Sequence, residues 1–353
     1  MFRFIDLFAG IGGFHIAMDS VGGECVFASE IDKFARVTYE ENFKDKSPEM
    51  FKNGNFNVDI TDKNLDYSSI PDFDVLCAGF PCQPFSHAGL KKGFEDTRGT
   101  LFFNIQEIVR KKIEAGVPPK VLFLENVKGF RNHDKGNTFK VIKRNLKKLG
   151  YELSAEVLNS KHFGIPQNRE RIFMIAWYKG LVPVKKFNFP FGLDVENNLI
   201  FNKNERDLKA KPTNVGDILL TSRELSKFEK ESNKTYTISE KLWEGHQRRK
   251  EMHINKGNGF GYSMFNKNSG YTSTISARYY KDGSEILIEQ KNKRPRKLHP
   301  VEAARLQGYP VNDWYKIPVS DVQAYKQFGN SVTVPVITIL AKQIQEQLLN
   351  KIN

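Results

Sequence analysis

The sequence Cys77-Ala-Gly-Phe-Pro-Cys-Gln-Pro-Phe-Ser86 continues an apolar run and then breaks into a loop rich in glycine and proline. The run from Phe73 to Cys77 has the pattern of a strand, and Cys82 follows between Pro81 and Pro84. Because proline fixes φ and cannot join a helix interior or a central strand, these residues predict a stiff loop at the carboxyl end of a strand. Ligands bind at that edge in open α/β sheets. Cys82 is therefore a candidate reactive residue, and the alternative is a cysteine in a proline-rich turn without chemistry.

The composition bounds the class of protein and its compartment. The chain has 353 residues and a hydrophobic content of 39%, which predicts one large domain with a smaller one and argues against disorder. Its three cysteines, at positions 25, 77 and 82, lack zinc-ligand spacing and favour a reducing cytoplasm over disulfides or a metal site. No apolar run reaches the ~20 residues of a membrane span, and the first residues lack a signal-peptide pattern. We therefore expect a cytoplasmic protein without a membrane span or a bound metal.

The charge balance is strongly basic, with a formal net charge of +13. Such an excess favours a polyanionic partner, most simply a nucleic acid. The alternative is a basic protein whose charge only aids solubility. Charge therefore admits a nucleic-acid-binding protein without requiring one.

The amino-terminal segment has the pattern of a strand, a glycine-rich turn and a helix. Phe2 to Phe8 alternates and ends in Ala9-Gly-Ile-Gly-Gly13, and Phe14 to Ser20 has helical spacing. Because glycine lets the backbone approach a ligand closely, this turn is a candidate binding loop. The full dinucleotide fingerprint needs a glycine where this chain has His15, so a pyrophosphate ligand such as NAD is disfavoured. A nucleoside-type cofactor fits better.

Acidic residues follow the next two predicted strands. Cys25 to Ser29 predicts the second strand, and Glu30 follows it about 20 residues after the first glycine, where an acid suits a ribose hydroxyl. Asp59-Ile60 is predicted to close the third strand with another acid at the same edge, and the alternative for Asp59 is a helix N-cap.

Strand and helix patterns continue to alternate up to about Trp177, which predicts a doubly wound α/β domain. The amino-acid composition changes after Trp177, and Asn, Lys, Gly and Tyr become frequent. We therefore interpret Pro190 to about His299 as a separate, mostly irregular and β-rich module. The remaining predicted segments are helices over Gly99 to Lys112, Thr138 to Leu149, Pro300 to Tyr309 and Val336 to Leu349, strands over Val121 to Leu124, Tyr151 to Leu158 and Ile172 to Trp177, and a strand-like turn over Gln327 to Val334.

Short motifs occur in a fixed order and reach both ends of the chain. They are Phe4-Ile-Asp-Leu-Phe-Ala-Gly-Ile-Gly-Gly-Phe14, Glu30, Asp59-Ile60, Gly79-Phe-Pro-Cys-Gln-Pro-Phe-Ser86, Arg98-Gly-Thr-Leu-Phe102, Glu125-Asn-Val127, Gln167-Asn-Arg-Glu-Arg171, Glu302-Ala-Ala-Arg-Leu-Gln-Gly308 and Gln327-Phe-Gly-Asn-Ser-Val332. In this order they resemble the DNA (cytosine-5) methyltransferases of the bacterial restriction–modification type. Only the segment from about 178 to 295 lies outside them.

The resemblance implies a Rossmann-like class I S-adenosylmethionine-dependent methyltransferase sheet with a second, smaller β-rich target-recognition domain. It assigns residues 1–189 with 325–353 to catalysis and cofactor binding, 190–299 to target recognition and 300–324 to a hinge. The implied partner is double-stranded DNA, bound in a cleft between the domains. A monomer suffices for such binding, and a cognate restriction endonuclease acting on the same site is an optional further partner.

The resemblance also implies the catalytic residues. The thiolate of Cys82 would add to C6 of a cytosine flipped out of the duplex, so that C5 can take the methyl group. Glu125 would bind N3 and the exocyclic amine of the base. Arg171 would contact O2, and Arg169 would support the pocket. The alternatives are a solvated strand-end carboxylate for Glu125 and surface salt bridges for the two arginines.

Two further residue sets follow from the resemblance. Members of the cofactor set would contact the adenine, the methionine or the ribose of the cofactor, or would line or close its pocket. For Phe8, Ile31 and Leu101 the alternative is plain core packing. The recognition set would contact DNA around a Thr-Leu-type dipeptide, with a surface hairpin as the alternative. The cofactor set is Phe8, Gly10, Gly12, Gly13, Glu30, Ile31, Asp59, Ile60, Leu101, Asn330 and Val332, and the recognition set is Thr274, Ile275, Arg278, Tyr279 and Lys281 with Tyr280 beside them.

Two other classes of function remain open at this stage. A tRNA cytosine-5 methyltransferase of similar fold typically has Pro-Pro-Cys where this chain has Phe80-Pro-Cys82, and a shorter insert before its last motifs. A catalytically silent binder usually lacks the cysteine or the glutamate, and this chain has both Cys82 and Glu125. Both differences favour a DNA methyltransferase.

Overall fold

The computed structural model describes residues 1–81, 101–259 and 261–352, and Cys82 lies outside these ranges. The chain divides into two compact units. The first unit comprises Met1–Leu158, Glu170–Pro190 and Val336–Asn353, and the second comprises Asn159–Arg169 and Phe191–Pro335.

The first unit is built on one mixed β-sheet. Within the described residues seven strands pair in the order β3-β2-β1-β4-β5-β7-β6, in which the neighbours from β3 to β5 are parallel and β7 is antiparallel to β5. This Rossmann-like order confirms the predicted α/β fold. The strands are β1 Phe2–Leu7, β2 Gly23–Ser29, β3 Phe56–Asn57, β4 Val75–Gly79, β5 Val121–Val127, β6 Tyr151–Asn159 and β7 Glu170–Tyr178.

Helices cover the sheet because its strands are apolar on both faces. Val121 to Leu124 of β5 are fully buried, as expected for a central strand of a sheet that helices cover on both faces. The predicted helix after the cysteine loop is confirmed, since Phe102, Ile105, Ile108 and Val109 form its buried stripe. The helices of this unit are α1 Gly13–Asp19, α2 Lys33–Phe43, α3 Pro48–Lys52, α4 Leu101–Glu114 and α5 Asn137–Lys148, followed by the last helix Val334–Gln347, with short 3₁₀ turns at Tyr67–Ser69, Lys128–Gly136 and Leu349–Lys351.

The second unit contains a separate, smaller sheet together with several helices. Its described strands form one three-stranded and one two-stranded sheet. The strands are Met264–Phe265, Leu287–Gln290 and Lys293–Arg296, with Gly192–Leu193 paired to Leu199–Ile200, and the helical segments are Ser160–Phe163, Arg206–Lys209, Val215–Asp217, Ser222–Ser232, Glu240–Asn255, Pro300–Arg305 and Asp321–Asn330.

The expectation of mostly irregular structure before His299 was wrong for two helices, Ser222–Ser232 and Glu240–Asn255. The first has no fully buried residue, and its apolar side consists only of Leu225 and Phe228, which are partly buried, so its helical pattern is short. Its start is instead marked by a capping box between Thr221 and Glu224.

Two other local predictions differ from the structure. The third strand ends at Asn57, and Asp59 lies beyond it in a turn whose carboxylate accepts from the backbone N–H of Thr61 at 2.8 Å. Gln327 is not in a strand-like turn but in the last turns of the helix Asp321–Asn330. That helix buries Ala324, Tyr325 and Phe328, a spacing that becomes visible only when the residues before Gln327 are included.

The compact units also differ from the predicted domain boundaries. Asn159–Arg169 and the residues from 300 to 335 belong to the second unit, whereas the prediction gave 325–335 to the catalytic domain and 300–324 to a hinge. The last helix belongs to the first unit from Val336 onward. Within the described ranges no helix is both long and apolar enough to cross a bilayer. The same ranges hold no metal-binding group of His, Cys, Asp and Glu.

Candidate active site

The ends of β4 and β5 lie side by side and place a glutamate next to the start of the cysteine loop. Glu125 is the register partner of Gly79 in this parallel pair. The side-chain amide of Asn126 donates to the backbone carbonyl of Phe80 at 2.9 Å. Since Phe80 precedes Pro81 and Cys82 in the sequence, Asn126 fixes the chain where the loop begins. Asn126 carried no predicted role, although its position between Glu125 and Val127 was visible in the sequence.

Glu125 and Arg171 form an ion pair at this edge. Nε of Arg171 lies 3.1 Å from Oε1 of Glu125, and the side chains are only 19% and 10% exposed. The antiparallel register sets this pair, because Arg171 lies opposite Val127 at the start of β7. A charge pair this sheltered from water is held in one geometry more firmly than an exposed pair. The structure therefore brings together two of the predicted catalytic side chains.

Arg169 has different surroundings, although it is only two residues from Arg171. It belongs to the second unit and is 1% exposed. Its guanidinium donates to the backbone carbonyls of Ile275 at 3.1 Å, Gly329 at 3.2 Å and Ser331 at 2.6 Å. These contacts support a structural role within the second unit rather than a direct contact with the reacting base.

The glycine-rich turn after β1 has the backbone conformation that its glycines predicted. Phe8 and Gly10 both have φ of 55° and Gly12 has φ of 82°, in the left-handed region. The backbone N–H of Ala9 donates to the carbonyl of Ser29 at 3.0 Å, which joins the turn to the end of β2. A positive φ at a non-glycine residue such as Phe8 is uncommon and typical of functional sites.

Glu30 is the acceptor around which this turn is arranged. Its Oε2 accepts from the backbone N–H of Gly10, and its Oε1 accepts from the N–H of Asp32, each at 2.7 Å. Burial raises the pKa of the Glu30 carboxyl above its ordinary value. A carboxylate oxygen has two lone pairs, so both oxygens can accept one further hydrogen bond each. This is the arrangement that two neighbouring ribose hydroxyls require.

The other predicted cofactor residues differ in exposure and in the unit to which they belong. Ile31 is 67% exposed beside Glu30, so the alternative of plain core packing is wrong for it, whereas Ile60 is buried in the core. Asn330 and Val332 belong to the second unit, where Asn330 is exposed at the end of a helix. In the first unit lie Phe8, Gly10, Gly12, Gly13, Glu30, Ile31, Asp59, Ile60 and Leu101.

His15, which breaks the dinucleotide fingerprint, supports the turn from below. Its Nδ1 lies 2.7 Å from the Tyr39 hydroxyl and its Nε2 lies 3.0 Å from the Ser47 hydroxyl. The imidazole stacks on the ring of Phe43 with 4.0 Å between the centroids. Burial lowers the pKa of His15 to about 3, so the ring is neutral at physiological pH. A Cβ at Gly12 would come within 2.1 Å of the same Phe43 ring, so this packing requires a glycine there.

The predicted recognition residues are divided between surface and core. Arg278 and Lys281 are exposed, and Thr274 is half-buried with its hydroxyl donating to the carbonyl of Asn168 at 2.6 Å. Tyr279 is fully buried, and its hydroxyl donates to the carbonyl of Ile286 at 2.7 Å and accepts from the N–H of Leu298 at 2.8 Å.

A direct DNA contact by the Tyr279 side chain was therefore wrong, because the ring fills the core of the second unit. The side chain of Ile275 is also fully buried and cannot reach a base edge in this structure. The alternating exposure has a simple cause, since apolar and aromatic side chains in this turn point inward and charged ones outward. Arg278 and Lys281 stay as predicted contacts.

With this geometry described, comparison with known proteins defines the class. The sequence model of the family described as C-5 cytosine-specific DNA methylase matches residues 2–346. The chain belongs to this family and is an S-adenosylmethionine-dependent DNA (cytosine-5) methyltransferase.

Individual relatives match along nearly the whole chain. The type II methyltransferase M.NlaX of Neisseria lactamica is 50% identical over 352 residues, covering 99% of this chain and 97% of that protein. The type II methyltransferase M.HhaI of Haemophilus parahaemolyticus is 42% identical over 350 residues, covering 98% and 95%. Among solved structures, Dnmt2 of S. pombe has a TM-score of 0.69 at 20% identity, covering 98% and 99%, which shows a shared fold.

The residues of the first unit fit the cofactor of this family. The Glu30 carboxylate suits the ribose hydroxyls, the Asp59 carboxylate can accept from an amine, and the exposed Ile31 offers an apolar surface for an adenine ring. No heavy atom lies within 4 Å of the position of a Cβ at Gly10, which leaves open space beside the turn. Acceptors for a nucleoside next to a glycine turn without a pyrophosphate fingerprint match S-adenosylmethionine better than a dinucleotide.

Proposed function

We propose that this enzyme methylates C5 of a cytosine flipped out of a short, specific duplex site, through a covalent adduct between Cys82 and C6 of the base. The observation that carries the proposal is the sheltered Glu125–Arg171 pair, whose Nε–Oε1 distance is 3.1 Å, beside the point where the chain enters Phe80-Pro81-Cys82. A carboxyl and a guanidinium held together at the edge of the sheet can bind the hydrogen-bonding atoms along one edge of a pyrimidine.

The chemistry explains why these residue types are needed. Cytosine C5 is a weak nucleophile, and addition of the Cys82 thiolate to C6 makes it enamine-like. Glu125 shares a proton with N3 and accepts from the exocyclic amine, and Arg171 donates to O2, so both stabilise the charge that develops on the ring. S-adenosylmethionine supplies the methyl group when bound. Loss of the proton from C5 and elimination of the Cys82 thiolate then release the methylated base.

Access to both faces of the base requires flipping. A stacked cytosine cannot receive a thiolate on C6 and a methyl group on C5, because neighbouring base pairs cover both faces of the ring. The basic chain, with a net charge of +13, and the exposed Arg278 and Lys281 support binding to the phosphates and base edges of a duplex.

The physiological role follows from the relatives. Several are named type II methyltransferases and match over nearly the full length of this chain, for example M.NlaX at 50% identity. We therefore propose that this enzyme modifies the site of a cognate restriction endonuclease.

Covalent trapping tests the nucleophile. A duplex with 5-fluorocytosine at the target cannot lose a proton from C5, so the wild-type enzyme should accumulate an adduct stable to denaturing gel electrophoresis. Cys82→Ala should give no adduct and no methyl transfer, while its dissociation constant for S-adenosylmethionine stays within about threefold of wild type.

Cys77→Ala is the matched control, because Cys77 is the buried cysteine of β4 in the same stretch. It should form the adduct at wild-type yield. Turnover by Cys82→Ala, or trapping that depends on Cys77, would disprove the assignment. Methyl transfer from labelled cofactor to tRNA in place of duplex DNA would support the tRNA methyltransferase alternative, and no adduct with the wild-type enzyme would support a silent binder.

A further inference from the structure

Gln167 and Arg169 form a buried polar cluster in the second unit. Gln167 is completely buried and Arg169 is 1% exposed. Between them, Asn168 donates its backbone N–H to the carbonyl of Thr272 at 2.8 Å, and Gln167 forms a parallel β-bridge with Thr272. Buried polar side chains of this size persist only where their hydrogen-bonding groups are used.

Residues 274–281, which carry the predicted DNA contacts, are called the recognition turn. Both side chains of this cluster hold the peptide groups of Ile275 in that turn. Oε1 of Gln167 accepts from the backbone N–H of Ile275 at 3.0 Å. The guanidinium of Arg169 donates to the backbone carbonyl of Ile275 at 3.1 Å. The Thr274 hydroxyl adds a bond to the carbonyl of Asn168 at 2.6 Å. The turn is thus fixed at consecutive residues by a segment more than a hundred positions earlier in the chain.

The same two side chains also hold the segments that lie behind the turn. Nε2 of Gln167 donates to the carbonyl of Leu306 at 2.9 Å. The other terminal nitrogen of Arg169 donates to the carbonyls of Gly329 at 3.2 Å and Ser331 at 2.6 Å. The packing there is close, because a Cβ at Gly329 would lie 2.3 Å from the backbone of Ser276. A guanidinium is suited to this task, since its rigid fork can bond several carbonyls at once.

We propose that Gln167 and Arg169 are positioning residues for DNA recognition. They fix the backbone of Ile275 so that Thr274 and the exposed Arg278 are presented to the duplex in one arrangement. The proposal rests on the proposed function in one respect, namely that the turn around Thr274 and Arg278 contacts DNA. It replaces the predicted role of Arg169 in supporting the base pocket.

The test measures the KM for DNA separately from the concentration of active enzyme. In Arg169→Gln the carbonyls of Ile275, Gly329 and Ser331 lose their shared donor, so the turn samples several arrangements. At saturating S-adenosylmethionine we expect the KM for cognate duplex to rise about tenfold and kcat to stay within about threefold. Discrimination between the cognate site and sites with one altered base pair should fall by a similar factor. Arg169→Lys keeps the charge and should give an intermediate KM.

Arg296→Lys is the matched control. Arg296 is also a buried arginine of the second unit, and it pairs with both oxygens of Glu302 at 2.7 and 2.8 Å. This variant should lower the melting temperature without raising the KM for DNA. Active enzyme is counted by the yield of 5-fluorocytosine adduct, so a variant that is partly unfolded is corrected for its folded fraction.

The outcomes distinguish the two proposals. A wild-type enzyme that forms the adduct, together with an Arg169→Gln variant whose KM and site discrimination equal wild type, overturns this inference alone. A lower kcat per active molecule at unchanged KM also overturns it, because it indicates the originally predicted role of Arg169 in supporting the base pocket. If Arg169→Gln does not fold, Arg169→Lys and Gln167→Glu decide by the same KM criterion. A wild-type enzyme without an adduct refutes the proposed function itself.

Discussion

The glycine-rich turn of the first unit and the recognition turn of the second unit are both irregular, yet they are fixed in opposite ways. The first is held by residues of the same amino-terminal segment, with Glu30 accepting from Gly10 and the His15 and Phe43 rings packed beneath it. The second is held by Gln167 and Arg169, from a distant segment. A turn fixed locally depends on backbone conformation and close packing, whereas a turn fixed from afar depends on buried hydrogen bonds.

The largest effect should come from crowding the locally fixed turn. Gly12→Ala places a Cβ 2.1 Å from the Phe43 ring at a φ of 82°, which adds overpacking to backbone strain. We expect a loss of about 3 kcal/mol in the free energy of unfolding, measured by urea titration.

Gly10→Ala is the control for backbone strain alone. It has a φ of 55° with no heavy atom within 4 Å of a Cβ, so it should cost only about 1 kcal/mol. Equal losses for the two variants would mean that packing against Phe43 does not fix the turn.

A smaller effect should follow from Tyr279→Phe in the distantly fixed turn. The change removes a hydroxyl that donates to the carbonyl of Ile286 and accepts from the N–H of Leu298, at 2.7 and 2.8 Å. Two buried hydrogen bonds are worth about 2 kcal/mol in the free energy of unfolding. The KM for DNA should stay unchanged, because the ring is buried. An Arg278→Ala variant provides the contrast, since it should raise that KM and leave the stability unaltered. A raised KM in Tyr279→Phe at wild-type stability would restore Tyr279 as a DNA contact.

The smallest effect concerns the support below the first turn and depends on pH. The folded-state pKa of His15 is about 3 and its ordinary value is 6.5, so only the unfolded state takes up a proton between these values. Stability from His15 is therefore full above the ordinary value and is lost as the pH falls below it. Asp6 acts in the opposite direction, because burial raises the pKa of its carboxyl well above the ordinary value.

Comparison of wild type with His15→Gln at each pH isolates the histidine, since Asp6 is present in both proteins. The difference between their free energies of unfolding should narrow by about 1 kcal/mol from about pH 6.5 to about pH 5.5. A constant difference would show that His15 takes up its proton equally in the folded and unfolded states.

The contrast between the turns also explains how much the sequence could predict. The first unit follows local rules, so the strand before Phe8, the apolar run of β5 and the helix that buries Ile105 were all visible as patterns. The proximity of Glu125 and Arg171 followed from the family resemblance, which assigned both side chains to the same base.

The second unit follows rules that a local pattern does not contain. The helix Ser222–Ser232 has no fully buried residue, and its apolar pattern is limited to Leu225 and Phe228. Tyr279 lies among residues of the types that contact DNA, but its ring is packed in the core. Arg169 and Arg171 have the same side chain in one motif, and only the structure shows that Arg169 bonds carbonyls of the second unit while Arg171 pairs with Glu125.

The double hold on Ile275 uses only its amide N–H and its carbonyl, which nearly every residue possesses. The two hydrogen bonds to the backbone of Ile275 therefore do not depend on the identity of the neighbouring side chains. Exposed positions such as Arg278 can change identity while the backbone path stays the same. If this turn contacts DNA as proposed, a new target sequence requires only surface substitutions, while the interior that holds the turn stays the same.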